Sequence, residues 1–360
     1  MTTVENLADG RGPVGSDRIY IAPEGIGPFS SGQMSLAGSG LGFSKVRLLW
    51  RSQLQTKECL LDIVELDRWA RQNGRTKSVE SILSLLSTPR PSFEGLSLDQ
   101  PRLVGVLNTT PDSFSDGGAY SRYETAVNHG AHLFKVGADV VDVGGESTRP
   151  GARPVSSSVE CSRVLPVVDR LAQKYLISID TSKASVMRKT IAAGARIVND
   201  VSALTNDPES LPLIASAGCS VFLMHSRGNP RNMQQTARYQ DALLDIFDYL
   251  SKRVRVCEDA GIGRERLAID PGIGFGQNDM HIQRIMKNIG LFHGIGCPIL
   301  LGTSRKSFIA RWSVGEPASS RLSGSVASVL WGLTQGVQMF RVHDVAETRQ
   351  AFSVWKRLSR

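Results

Sequence analysis

From Arg102 onward the chain repeats one pattern. A short apolar run rich in Val, Ile and Leu ends in a polar residue, and a longer stretch follows whose apolar positions recur every three or four residues. The runs are LVGVLN (103–108), VVDVG (140–144), LISID (176–180), ARIVND (195–200), VFLMH (221–225), LAID (267–270), PILLG (298–302) and MFRVH (339–343). Their apolarity is continuous rather than alternating, which predicts strands of a parallel sheet buried on both faces. The intervening segments, among them Ala184 to Ala193, Ala242 to Ala260, Leu322 to Leu333 and Val345 to Leu358, carry the spacing of amphipathic crossover helices. Eight such units predict an α/β protein built as a (β/α)8 TIM barrel, for which about 250 residues is the usual size. A doubly wound open sheet is the alternative.

The first hundred residues do not share this rhythm. Gly, Ser and Pro are scattered through Ala8 to Gly42, and one strand-like run (Lys45 to Arg51) and two helix-like runs (Asp62 to Arg71, Val79 to Leu86) follow. Pro89, Pro91, Gly95 and Pro101 then interrupt regular structure. The expected division is an N-terminal extension over 1–100, of no assignable role, and a catalytic barrel over 101–360. A small lid, an oligomer contact and a packing appendage are all open for the extension.

Composition narrows the class of function. The chain has 360 residues, 41% hydrophobic and 21% charged, with 42 Lys and Arg against 34 Asp and Glu, a formal net charge of +8. Residues 1–100 hold 11 of each sign, so the whole excess belongs to the barrel. A pI near 9.4 raises nucleic-acid binding. With 6% aromatic residues and no clustered basic run, the sequence offers no such surface. No run of about 18 apolar residues occurs, and Glu5, Asp9, Asp17 and Glu24 do not fit a secretory leader, so a cytoplasmic protein without membrane association is expected. Five dispersed cysteines lack the spacing of a zinc ribbon, redox dithiol or disulfide framework.

In a barrel of this kind the reacting groups gather where strands end at the C-terminal rim. The residues there are Asn108, Asp142, Asp180, Asn199, His225, Asp270, Lys306, Arg341 and His343. Carboxylates and amides at the ends of buried strands are costly, on the order of a few kcal/mol each, unless something pairs with them. Asp180, Asp270, Asn108, Asn199 and Lys306 suit a flat heterocycle bearing donors and acceptors, such as a 2-amino-4-oxo pyrimidine ring. Arg149, Arg305, Arg341 and His343, with Asn108 as an oxygen ligand for Mg²⁺, suit a pyrophosphate. Two turn-rich loops, NTTPDSFSDGG (108–118) and GGESTRPGARP (144–154), have the composition of lids. In GIGFG (272–276) the alternate glycines, Gly274 among them, let backbone approach a ring closely.

NTTPDSFSDGG, VVDVGGESTRPGA, ISIDTSK, IVNDVSAL, LMH, IDPGIGFG, SRKSFIA, RLSGS and RVHDV, in this order, closely resemble the dihydropteroate synthase family of bacterial folate synthesis, from about residue 102 to the C-terminus. The resemblance implies a transferase that joins 4-aminobenzoate to 6-hydroxymethyl-7,8-dihydropterin pyrophosphate with Mg²⁺, releasing pyrophosphate and forming 7,8-dihydropteroate, in a homodimeric enzyme. It implies a pterin pocket of Asp180, Asn199, Asp270 and Lys306 with Met224 packed on the ring. Arg341 and His343 become the pyrophosphate clamp and Asn108 the Mg²⁺ ligand. Thr148 and Arg149 become a substrate-contacting pair, with Arg149 assisting the leaving group, and Asp116 a loop carboxylate that steadies positive charge. Phe114 and Pro150 would wall the aminobenzoate slot, and Ser307 would lie near the helix N-terminus that receives the carboxylate. Sulfonamides enter as candidate inhibitors through the same slot. Gln277 stands where many relatives carry Lys. The rival readings are a methyltetrahydrofolate-dependent methyltransferase, which needs no STRPG, SRKS or RVHDV, and a silent pterin-binding paralogue, which would be expected to lose Asp116 or Arg149.

Overall fold

The computed structural model describes residues 2–4, 12–13, 17–52, 55–110, 119–147, 152–228 and 238–359. The extension holds seven strands: β1 (Thr2–Val4), β2 (Ile19–Glu24), β3 (Gly27–Pro28), β4 (Met34–Ser35), β5 (Leu41–Phe43), β6 (Lys45–Ser52) and β7 (Gln55–Asp62). Helices α1 (Ile63–Gln72) and α2 (Thr76–Ser87) follow. A four-stranded sheet runs in the order β1-β7-β6-β2, and β3, β5 and β4 make a second, small one. The sequence reading found only β6 of these strands. Its partner β7, QTKECLLD, was obscured by polar residues along half its length, and it is a strand because β6 pairs with it antiparallel along all eight residues. Asp62 starts α1 through a capping box, accepting from the Glu65 amide at 2.7 Å while Glu65 accepts from the Asp62 amide at 2.8 Å. Ile21, Leu48, Trp50, Leu66 and Trp69 fill a core of their own between sheet and helices.

The barrel strands are β8 (Arg102–Asn108), β9 (Val140–Gly144), β10 (Ile177–Asp180), β11 (Ile197–Asp200), β12 (Ser220–Met224), β13 (Leu267–Asp270), β14 (Leu300–Leu301) and β15 (Met339–Val342). They are parallel neighbours in sequence order, β15 pairs with β8, and one parallel bridge from Ile269 to Ile299 closes the ring. Around them run α3 (Ala119–Lys135), α4 (Ser157–Ala172), α5 (Ala184–Ala192), α6 (Ser210–Ala217), α7 (Ala242–Asp259), α8 (Asp279–Lys287), α9 (Ser307–Arg311), α10 (Leu322–Thr334) and α11 (Val345–Leu358). The TIM barrel expected from the rhythm is the fold. PILLG is the weakest match, since only Leu300 and Leu301 are strand.

Alternate strand residues face opposite ways. Val141, Val143, Ile179, Val198, Val221, Leu223, Ile269 and Phe340 point out into the core shared with the helices. Val104, Val140, Ile197, Phe222, Ala268, Leu300 and Met339 point inward and pack with Phe93 and Leu98 of the segment that precedes β8. That segment closes the N-terminal mouth: the Phe93 ring stacks on Phe222 with centroids 5.3 Å apart.

The extension docks beside this mouth and along the barrel flank. Tyr20 donates to Asp248 at 2.9 Å, and Arg51 pairs with Asp245 at 2.8 Å, both on α7. Arg284 of α8 reaches Asp241, the N-cap of α7, at 2.6 Å. Buried Arg90 donates to the Leu85 carbonyl and, at 2.8 Å, to that of His293. Among the described residues none of these polar contacts reaches a residue of the strand-end rim.

Candidate active site

Two residues beyond each inward apolar position lies another inward position, and on most strands the chemistry changes there, while Val106 after Val104 and Met224 after Phe222 stay apolar. Val140 is followed by Asp142, Ile197 by Asn199, Phe222 by Met224, Ala268 by Asp270, Leu300 by Gly302 and Met339 by Arg341. Strand pairing aligns Asp180 with Gly144 on one side and Asn199 on the other. The ring thus carries a polar layer at its C-terminal end, directly above an apolar one.

The two glycines of that layer mark where the side chains converge. A methyl group on Gly144 would lie 3.5 Å from Asn108 Oδ1 and 3.7 Å from Asp180 Oδ2. One on Gly302 would lie 3.7 Å from Asp270 Oδ2, 3.8 Å from Arg341 Cβ and 4.0 Å from Lys306 Nζ. Residues scattered over two hundred positions of sequence therefore border one cradle.

Ion pairs hold the cradle together. Arg341 donates through Nε to Asp142 Oδ2 at 2.6 Å and through Nη2 to Asp180 Oδ2 at 2.7 Å. Asn199 Nδ2 donates to the same Asp142 oxygen at 2.8 Å. Lys306 Nζ donates to the Ile273 carbonyl and stands 4.7 Å from the Phe275 ring centroid. Asp270 accepts the Gly272 amide at 2.7 Å. Gly272 adopts φ +67°, and a Cβ there would fall 1.9 Å from the His225 carbonyl oxygen, so this turn admits glycine alone. Gln277 spends its amide on the same turn, accepting from Gly274 N at 3.0 Å and donating to the Gly272 carbonyl at 3.1 Å. Here the residue that departs from the family pattern holds backbone.

Burial sets the protonation of the set. Desolvation pushes the Asp180 carboxyl up to about 7 against the lowering pull of Arg341, with Asp142 adding to the rise. It likewise raises Asp270, opposed by Lys306. Desolvation pushes the Lys306 ammonium down to about 8, against the stabilising charge of Asp270. Burial holds His225 down at about 4 and so neutral, edge-on to Tyr249 at 5.0 Å. His225 is a packing residue beneath the rim.

Two further placements correct the sequence reading. Arg305, counted there with the anion-binding cations, forms a bidentate pair with Asp344, with Nε to Oδ2 at 3.0 Å. Its charge is therefore already matched. Ser307 opens α9, at the helix N-terminus as expected, and its hydroxyl accepts from Arg311 at 2.9 Å. The described rim is also less cationic than counting arginines suggests: Asp142, Asp180 and Asp270 face Lys306 and Arg341. His343 is held through Nδ1 by Ser304 Oγ at 3.1 Å, a partner the sequence did not signal. Phe114, Asp116, Thr148, Arg149 and Pro150 lie outside the described residues. The base of the second loop is described: Lys183 Nζ lies between Glu146 and Glu160, and Glu146 accepts the Val155 amide at 3.1 Å.

Comparison with known proteins agrees with this geometry. Residues 104–343 match the family of pterin binding enzymes. The dihydropteroate synthase of Escherichia coli K12 is 44% identical over 265 residues, covering 72% of this chain and 93% of that protein. The Xanthomonas albilineans dihydropteroate synthase solved with 4-aminobenzoic acid superposes with a TM-score of 0.69 at 42% identity, over 74% of this chain and 96% of that one. The same enzyme with 7,8-dihydropteroate gives 0.67 at 39%, over 73% and 95%. The Yersinia pestis enzyme in a sulfonamide complex gives 0.69 at 41%, over 73% and 96%.

Proposed function

The chain belongs to the dihydropteroate synthases of the pterin-binding enzyme family, its reaction is the condensation of a dihydropterin pyrophosphate with 4-aminobenzoate, and on that premise we propose how its residues divide the work. The observation that carries the division is the cradle around Gly144 and Gly302, where Asn108, Asp180, Asp270, Lys306 and Arg341 converge. Asp270 and Asn199 take the amino and ring N–H groups of the pterin, Lys306 donates to its carbonyl, and Met224 packs on its face. Arg341, with N–H groups left over after Asp142 and Asp180, and His343, steadied by Ser304, receive the pyrophosphate.

Three carboxylates against two cations leave too little positive charge among the described rim residues to hold a pyrophosphate alone. Asn108 Oδ1 is a hard oxygen at the edge of the cradle, 3.5 Å from where a methyl on Gly144 would lie, and would hold a Mg²⁺ there. When bound, the ion neutralises the leaving group. The chain's residues then orient the pterin, keep water from its exocyclic carbon and leave the arylamine, neutral at pH 7, to attack. The substitution is SN1-like, with no covalent enzyme intermediate, and calls for electrostatic preorganisation rather than a strong base.

The deciding assay follows pyrophosphate release from dihydropterin pyrophosphate. Dependence on Mg²⁺ and 4-aminobenzoate is expected, and turnover unaffected by chelation retires the Asn108 assignment. Slow release without the amine supports ionisation first, and its complete absence removes that step. Sulfonamides compete with aminobenzoate in this reading. The enzyme acts in the cytoplasm as a homodimer. Among the described residues no helix is long and apolar enough to span a membrane. Support for the dimer is an apolar groove of about 490 Å³ lined by Met286, Phe308, Ile309, Trp312 and Trp331. Sedimentation of a monomer at micromolar concentration sinks it.

A further inference from the structure

Asp142 belongs to neither substrate in this division, yet it is wholly buried and tied to both halves of the site. One oxygen, Oδ2, accepts from Asn199 Nδ2 at 2.8 Å and from Arg341 Nε at 2.6 Å, while Oδ1 has no partner among the described residues. An asparagine amide is nearly symmetric in shape, so only its partners decide which end is oxygen and which nitrogen. A carboxylate can only accept. It therefore draws Nδ2 to itself and leaves Oδ1 and one N–H of Asn199 for the cradle, in a fixed order. An aminopyrimidinone edge presents a donor beside an acceptor, and a flipped amide would set donor against donor and acceptor against acceptor. The same carboxylate, with Asp180, fixes two edges of the Arg341 guanidinium and hence its plane.

We infer that Asp142 is a positioning residue for pterin recognition, acting through the amide orientation of Asn199 and the plane of Arg341. The inference rests on the pterin-pocket reading. It requires that removing Asp142 damage the pterin side of the reaction and spare the aminobenzoate side.

The test uses the full chain and four proteins besides wild type: D142A, N199A, D142A/N199A and D142N. Wild type must first bind dihydropterin pyrophosphate in a fluorescence titration and turn over both substrates, and failure there would refute the pocket reading itself. D142A is expected to raise the KM for dihydropterin pyrophosphate about 10- to 100-fold, the scale of a lost hydrogen bond to a charged group. The KM for 4-aminobenzoate should stay within about twofold. The share that acts through Asn199 should vanish in N199A, so the rise in the double variant should fall short of the product of the two single effects. D142N keeps one acceptor oxygen and should fall between wild type and D142A. Wild-type behaviour of D142A, effects that multiply in the double variant, or equal rises in both KM values would each overturn the inference. Should D142A lack a cooperative thermal transition, D142N carries the test, and a pterin KM equal to wild type overturns it.

Discussion

The two ends of the barrel are built from the same eight strands and do opposite things. At the N-terminal mouth the inward layer is Val, Ile, Phe, Ala, Leu and Met, sealed by Phe93 and Leu98, and the acid beside it, Glu94, is tied to Ser220 and Arg196. Two residues further along, inward positions hold Asp142, Asn199, Asp270 and Arg341; charged hydrogen bonds join Asp142 to Asn199 and Arg341, and Asp142 Oδ1 is unsatisfied among the described residues. The lesson is a division of labour over about one strand repeat, some 6–7 Å. Apolar burial at the bottom supplies stability, so that the top can keep charges in a desolvated setting where they are expensive and useful.

Substitutions at either end can break this contrast. The largest expected effect is at the top: K306A should lose activity on the order of 10²- to 10³-fold, as when one preorganised donor is removed, with its thermal transition unchanged. Near-normal turnover would show that the ammonium beside Asp270 is structural. At the bottom the signs reverse. F93A, which empties a fully buried ring position, should cost about 3–5 kcal/mol in denaturant unfolding while kcat/KM of the folded enzyme stays within about twofold. A large fall in kcat/KM with little loss of stability would mean that the two layers are coupled.

The smallest effect sharpens the electrostatic half. Asp180, raised to about 7, is protonated and a poor acceptor below that pH, and Lys306, lowered to about 8, is uncharged above it. Both pterin recognition and the charge of the cradle need the ionised forms, so kcat/KM for dihydropterin pyrophosphate should rise through about pH 7 and fall beyond about pH 8. Because Asp180 and Arg341 interact strongly, the acid limb belongs to that pair, and K306A should remove the alkaline one. A profile flat from about pH 6 to pH 9 would refute the desolvated cradle.

How much could be read in advance differed between the regions. Barrel strands such as VVDVG and LAID, and helices such as Ala242 to Asp259, were legible to within a residue or two, because burial on both faces writes a continuous apolar run. In the extension β2 and β7 were not: β2 is a short buried run that ends in Pro-Glu within Gly- and Pro-rich sequence, and β7 is polar along half its length. Within the site, Asp180, Asn199, Asp270, Lys306 and Arg341 were legible as strand ends. Asp142 was visible there too but was given no role, Ser304 was missed, and Arg305 was credited with a charge that Asp344 already uses.

The sequence by itself determined that there are eight buried parallel strands, where each stops, and which polar residue stands at its end, because strand burial and chain punctuation are local properties. Only the tertiary structure decided which alternate set of residues looks inward. That choice follows from closing the ring, and it turned Asp142 from a strand-end acid into the group that holds Asn199 and Arg341 in place. A strand buried on both faces shows no alternation, so its two faces become distinct when neighbours 19 to 237 residues away close around it.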